Sequence, residues 1–224
     1  MMSAGNDIVS LNAINAARTK QYKFYSKILS ESENPLYKEF SSAGIPFENF
    51  VWLLWSIKES AYKYLQRNNP DVIFTPVKFV VKQLQLPANY IITNFDSQQI
   101  EENGFNTILA IAGIVTYGQY TFHSRSLLYN NLIHSVVNNS ENFQDNYWGI
   151  KLIADNDSEH QSKEVRSFLL ERLQRLFKTN DFSISKSQSG LPILLKGTDE
   201  TTLPVSLTHH EHFVAYSFHT TINI

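Results

Sequence analysis

Apolar side chains at Phe50, Leu53, Leu54, Ile57, Ala61, Tyr64 and Leu65 recur at close to 3.6-residue spacing, which predicts one long amphipathic helix over 46–67. Elsewhere the period changes. Gly5 to Val9 reads as a glycine leading into a short apolar strand, and 13–33 and 35–41 predict two further helices. After the turn cluster Asn68-Asn69-Pro70-Asp71, strand signals accumulate at 77–82, 90–93, 108–117, 119–123 and 133–137, with a hairpin turn at Gly118. An Asn-rich, aperiodic stretch over 138–146 reads as a linker. Beyond it come a strand at 147–153, a helix at 162–178 with Val165, Phe168, Leu169, Leu173 and Leu176 on its apolar face, a turn at 189–193 and a hairpin within 203–218. The pattern predicts an α+β fold in two helix-plus-antiparallel-sheet halves, 1–140 and 141–224.

Composition narrows the function classes more than the fold. The chain has 224 residues, 42% of them apolar and 18% charged, as ordinary globular domains do. A formal net charge of −2 argues against nucleic acid or an acidic membrane as the partner of the whole chain. There are no cysteines, so disulfides, thiol catalysis and cysteine-ligated zinc are excluded. The N-terminus is too short and polar before Gly5 to open a signal peptide, and the longest apolar run, 108–115, falls far short of a membrane span. A cytoplasmic protein is expected.

The long helix also carries chemistry. Glu59 and Lys63 stand four residues apart and share one side, with Lys58 beside them and Trp52 and Trp55 on the same helix. Read by spacing alone, this is a solvated face with one Glu–Lys pair. It is also a workable set for phosphoryl chemistry, with a carboxylate oxygen for Mg²⁺ and ammonium groups for phosphate charge.

The run Trp55-Ser56-Ile57-Lys58-Glu59-Ser60-Ala61-Tyr62-Lys63 resembles the W-x-x-K-E-[SA]-x-x-K signature of the 4′-phosphopantetheinyl transferases. Gly5-Asn6-Asp7 resembles the family's G-x-D, whose Asp binds Mg²⁺ with the Glu of K-E. By the residues alone, Asp7 is a turn or capping residue. A second acid is usual two residues later in the longer, surfactin-type enzymes, and this chain has Val9. Arg166-Ser167-Phe168-Leu169-Leu170 resembles the helix whose leading Arg meets coenzyme A phosphate, with Lys163 a turn earlier. Gly190-Leu191-Pro192 resembles G-[KR]-P, which holds the adenine, but Leu191 replaces a cation, leaving Lys186 or Lys196 to substitute. Thr208-His209 stands where Ser-His is usual, contacting coenzyme A phosphate. Otherwise His209 is a hydrogen-bonded hairpin residue. The three histidines His209, His210 and His212 do not read as zinc ligands, because a short turn points neighbours apart and no Asp or Cys completes the set.

The motif order is that of the short holo-acyl-carrier-protein synthases, at the length of the two-domain enzymes. The resemblance implies a monomeric pseudo-dimer with its site between its own halves. It further implies transfer of 4′-phosphopantetheine from coenzyme A to a serine of an apo acyl or peptidyl carrier protein, with adenosine 3′,5′-bisphosphate leaving. On that reading Asp7 and Glu59 hold Mg²⁺, Glu59 accepts the serine proton and Lys63 and Lys58 neutralise phosphate charge. Lys163, Arg166, Gly190, Pro192, Thr208 and His209 bind the nucleotide. The alternative is a non-catalytic relative that binds coenzyme A or a carrier protein.

Overall fold

The computed structural model describes residues 3–88, 90–105, 109–187 and 189–220. Its strands are β1 (Gly5–Ser10), β2 (Val80–Gln85), β3 (Gln99–Asn103), β4 (Ile111–Tyr117), β5 (Tyr120–Leu128), β6 (Leu132–Asn138), β7 (Asn146–Leu152), β8 (Phe182–Lys186), β9 (Pro192–Lys196), β10 (Asp199–Glu200), β11 (Val205–His210) and β12 (Phe213–His219). They form two antiparallel sheets, β1-β6-β5-β4-β2 and β11-β12-β7-β3, and a ribbon, β10-β9-β8. The fold is α+β, as the alternation of periods predicts.

Two helices of 20 residues each, Phe47–Gln66 and Ser158–Phe177, sandwich the sheets. Phe50, Leu53, Leu54 and Ile57 of the first pack with Val9, Val115, Ile133 and Val137 on one face of the first sheet. Ile8, Leu127 and Val136 on its other face meet Trp148, Ile150 and Ala215 of the second sheet. The second helix then covers that sheet's far face, through Val165, Phe168 and Leu169 against Val214, Tyr216 and Phe218. Ahead of each long helix an opening strand pairs with a later closing strand, β1 with β6 and β7 with β12. A glycine in each opening strand lets the layers approach. A Cβ on Gly5 would lie 2.1 Å from the Ser60 carbonyl oxygen, and one on Gly149 would lie 2.9 Å from the Phe168 ring.

Several expected elements differ. The helix expected over 13–33 is instead two single turns, Ala16–Thr19 and Tyr22–Tyr25, and a 3₁₀ segment, Glu31–Leu36. Glu33 is the reason for the break before that segment: its carboxylate closes a capping box on Ser30 and is drawn into the core. The second long helix starts at Ser158, where the Asp157 side chain accepts the His160 amide, earlier than the first periodic apolar residue suggests. Tyr90–Thr93 is not a strand, because the Tyr90 hydroxyl instead ties the segment to the Leu128 carbonyl. The strand expected from Ile108 begins at Ile111, and Ile108 lies outside the described residues. β3 and β8 have no sequence expectation. β3, from the first half, completes the second sheet beside β7.

The two sheets meet along their edge strands, β1 and β11. No backbone ladder joins them. Ser206 Oγ accepts the Asn6 amide at 3.2 Å and His210 Nδ1 accepts the Ser10 amide at 2.9 Å, so side chains four apart on β11 serve amides four apart on β1. An edge strand's amides need partners when buried. This seam is where the candidate site forms.

Candidate active site

A cavity of about 420 Å³ opens between the first long helix, β1 and β11, lined by Asp7, Ile8, Val9, Trp52, Trp55, Glu59, Lys63, Leu207, Thr208, His209 and His210. Asp7 leaves β1 toward the helix, and Glu59 and Lys63 project from one side of that helix, so two acids 52 positions apart reach one ammonium group. Lys63 Nζ lies 3.1 Å from an Asp7 oxygen and 3.1 Å from a Glu59 oxygen. The Thr208 hydroxyl, from β11, donates to the same Asp7 Oδ1 at 3.2 Å, and Lys63 reaches that hydroxyl at 3.3 Å. Asp7 Oδ2 is buried with no hydrogen-bond partner among the described residues.

The electrostatics follow from burial. Desolvation raises the Asp7 pKa to about 7. The Lys63 charge opposes that rise, and the Glu59 charge adds to it. Burial works against the Lys63 ammonium too, yet the two carboxylates outweigh it and its pKa is raised. Among the described residues no three His, Cys, Asp or Glu side chains form a metal cluster. The donors present are two carboxylates, one with a free buried oxygen. These are hard oxygen ligands of the kind Mg²⁺ takes one or two at a time, completing its shell with water and substrate. The donor chemistry therefore suits a divalent cation at Asp7 and Glu59, in the place that the Lys63 ammonium takes between them. Val9 lines the cleft where the longer enzymes are expected to place another acid.

Residues 3–106 match the family model of the 4′-phosphopantetheinyl transferase superfamily. No curated protein and no solved structure matches the chain. The superfamily segment contains Asp7, Glu59 and Lys63. Thr208 and His209 lie outside it and reach the same cleft through the fold.

One expectation for the superfamily segment needs correction. Lys58 does not face the cleft. It is fully buried on the opposite side of the helix, where Nζ donates to the Ile28 carbonyl at 2.6 Å and to Glu33 at 2.7 Å. Glu33 in turn accepts the Ser30 and Val81 amides. Adjacent residues on a helix diverge by about 100°, and the bonds to Ile28 and Glu33 hold the Lys58 ammonium away from the cleft. Lys58 is a structural cation, and burial lowers its pKa despite the Glu33 charge.

The remaining expected residues divide. His209 is exposed on the cleft wall, its pKa lowered by burial and by the charges of Lys63, His210 and Arg166. Arg166 is half-buried on the second long helix, donating to the Ser162 carbonyl at 3.0 Å and to the Ser162 hydroxyl; Lys163 is exposed beside it. Neither lines the cleft. Gly190 turns at φ +81° and Pro192 opens β9, also outside the cleft. They connect to it through Arg67, one helical turn beyond Lys63, whose Nη2 donates to the Pro192 carbonyl at 2.8 Å and the Val205 carbonyl at 2.6 Å. The sequence assigns Arg67 no role and weighs His210 only as a rejected zinc ligand; the signal for Arg67 is its i+4 spacing from Lys63. A wider depression of about 710 Å³ near Arg125 and Phe143 is a weaker candidate, because its Glu141 side chain is 80% exposed and its charge is well solvated.

Proposed function

We propose that this protein transfers 4′-phosphopantetheine from coenzyme A to a serine of an apo acyl or peptidyl carrier protein, with Mg²⁺ held by Asp7 and Glu59. The observation that carries the reading is the convergence of Asp7, Glu59 and Thr208 on the Lys63 nitrogen in one cleft. The superfamily match over the segment holding three of these residues supports transferase chemistry.

In this reading the serine Oγ attacks the phosphorus next to the pantetheine. A new P–O bond forms, and the bond to adenosine 3′,5′-bisphosphate breaks. Glu59, 26% exposed on the cleft wall, takes the serine proton and passes it to solvent. Lys63 neutralises charge on the pyrophosphate and the departing oxygen, the main demand of phosphoryl transfer. A cation held by Asp7 and Glu59 would supply Lewis-acid stabilisation of the same charge. Thr208 orients Asp7 through its hydrogen bond. His209 and Arg166 contact nucleotide phosphate from the second half, and Gly190 and Pro192 bound the adenine. The division into units 1–140 and 141–224, each contributing one wall, belongs to this proposal, as do a monomeric state and work in the cytoplasm. No described helix is long and apolar enough to cross a membrane.

The carrier protein has a matching approach. Arg18, Lys20, Lys23 and Lys27 are exposed, no acid occurs between Asp7 and Glu31, and the Thr19 hydroxyl accepts from the Trp52 indole at the cleft mouth. Such a surface suits an acidic partner. The test is to incubate the protein with Mg²⁺, coenzyme A and apo carrier proteins and to weigh the carriers. A gain of one phosphopantetheine is expected. Val9 in the cleft favours a second reading, a coenzyme A- or carrier-binding scaffold, which predicts binding with no change in carrier mass.

A further inference from the structure

His210 lines the cleft without a part in the chemistry above. Its ring is held in one tautomer. The Ser10 amide donates to Nδ1 at 2.9 Å, so the neutral ring must carry its proton on Nε2. A histidine that orients itself through Nδ1 commonly does so the other way round, by donating Nδ1–H to a carbonyl or carboxylate. Here the buried edge of β1 needs an acceptor, and satisfying it leaves Nε2–H as a fixed donor. Nε2 has no hydrogen-bond partner among the described residues and is not sealed from solvent. Burial lowers the pKa of the ring, against the pull of Glu211 and Glu59, so the ring is neutral at physiological pH.

Its place in the cleft follows from the strand. Thr208 and His210 are two apart on β11 and share a face, so the ring sits roughly 7 Å beyond the hydroxyl that bonds Asp7. Gly5 lies against Ser60 and Tyr64, whereas Val9 shares the cleft with Trp52 and Trp55, so β1 and the helix run in opposite directions. The cleft thus runs from Lys63, beyond which Arg67 holds the Pro192 carbonyl outside it, to Trp52 and His210. A phosphoryl group in transit has its nucleotide on one side and its pantetheine on the other.

We infer that His210 binds the substrate, its Nε2–H donating to an oxygen of the phosphopantetheinyl group on the side of the cleft away from the nucleotide. The inference rests on the transferase reading. Asparagine separates the two jobs of this residue: its Oδ1 takes the place of Nδ1 and keeps the Ser10 amide bonded, while nothing replaces Nε2–H. His210→Asn is expected to lower kcat/KM for coenzyme A about 10- to 100-fold, the scale of one hydrogen bond to a charged group. Inhibition by adenosine 3′,5′-bisphosphate is expected to stay unchanged. His210→Ala should show the same kinetic loss with a lower Tm. Nitrogen-15 NMR of the wild-type protein should report Nδ1 unprotonated and Nε2 protonated at neutral pH.

Wild-type kcat/KM in His210→Asn, a parallel loss of bisphosphate inhibition, or a ring protonated on Nδ1 would each overturn the inference. If the wild-type protein neither binds coenzyme A nor changes a carrier's mass, the transferase reading falls and takes this inference with it. Wild-type transfer combined with an unaffected His210→Asn sinks the role of His210 alone.

Discussion

Replacing Asp7 with Asn should make the cation-free protein more stable, even though it removes one side of an ion pair. Asp7 is 4% exposed, and its pKa of about 7 against an ordinary 3.8 means that burial costs the charged form more than Lys63 returns. At 1.36 kcal/mol per unit, the strain of ionising Asp7 at pH 8 is about 4 kcal/mol. Asn keeps the shape but withdraws a partner from Lys63, which retains Glu59 at 3.1 Å, so the net gain should be about 1–3 kcal/mol. For a chain of this size that is a Tm increase of roughly 2–12 °C. The sign depends on pH. A carboxyl with a raised folded pKa contributes stability that is full below the unfolded value and lost as pH rises toward 7. The advantage of Asp7→Asn should therefore be near zero at pH 4 and complete at pH 8. Buried His134 runs the other way: its pKa is lowered to about 3 by burial, so it costs stability as pH falls from 6.5. The informative quantity is thus the difference between the two proteins at each pH, measured by thermal unfolding. Adding Mg²⁺ should raise the wild-type Tm and leave Asp7→Asn unmoved. An Asp7→Asn variant less stable than wild type at pH 8 would show that the Lys63 attraction outweighs desolvation, and the argument would be refuted.

The other predictions test separate parts of the fold and site. Glu59→Gln should cut transfer by 10²–10⁴, the scale of a general base, without changing the circular dichroism or Tm, and near-wild-type carrier modification would remove Glu59 from that role. Glu33→Ala should cost about 3–5 kcal/mol in urea unfolding, because it leaves Lys58 charged and buried beside a single carbonyl; a loss below about 1 kcal/mol would mean the pair is not sealed as described. Gly5→Ala should destabilise by about 1–3 kcal/mol or more, since its Cβ would meet the Ser60 carbonyl oxygen at 2.1 Å, and a silent substitution would place β1 farther from the helix.

Much of this protein was legible as periodicity and spacing. The 3.6-residue stripe of the first long helix was read within about a residue at either end, because eleven of its residues are buried and turn signals follow it. Glu59 and Lys63 could be placed on one side for the same reason. The role expected of Lys58 does not hold, because chain adjacency to Glu59 says nothing about which layer each side chain enters, and Glu33, 25 positions earlier, decides that. The helix expected over 13–33 failed because a capping box and a buried carboxylate overrode local propensity. β3 carries little apolar pattern and exists because β7 offers it an edge.

By itself, then, the amino-acid order determined the α+β character, the long helix and the pair Glu59–Lys63 on one side of it, since these depend on residues within a few turns of each other. Whether Thr208 would reach Asp7 and which nitrogen of His210 would keep its proton depended on β1 and β11 meeting edge to edge. Contacts between residues about 200 positions apart have no local signature, and only the packed chain could decide them.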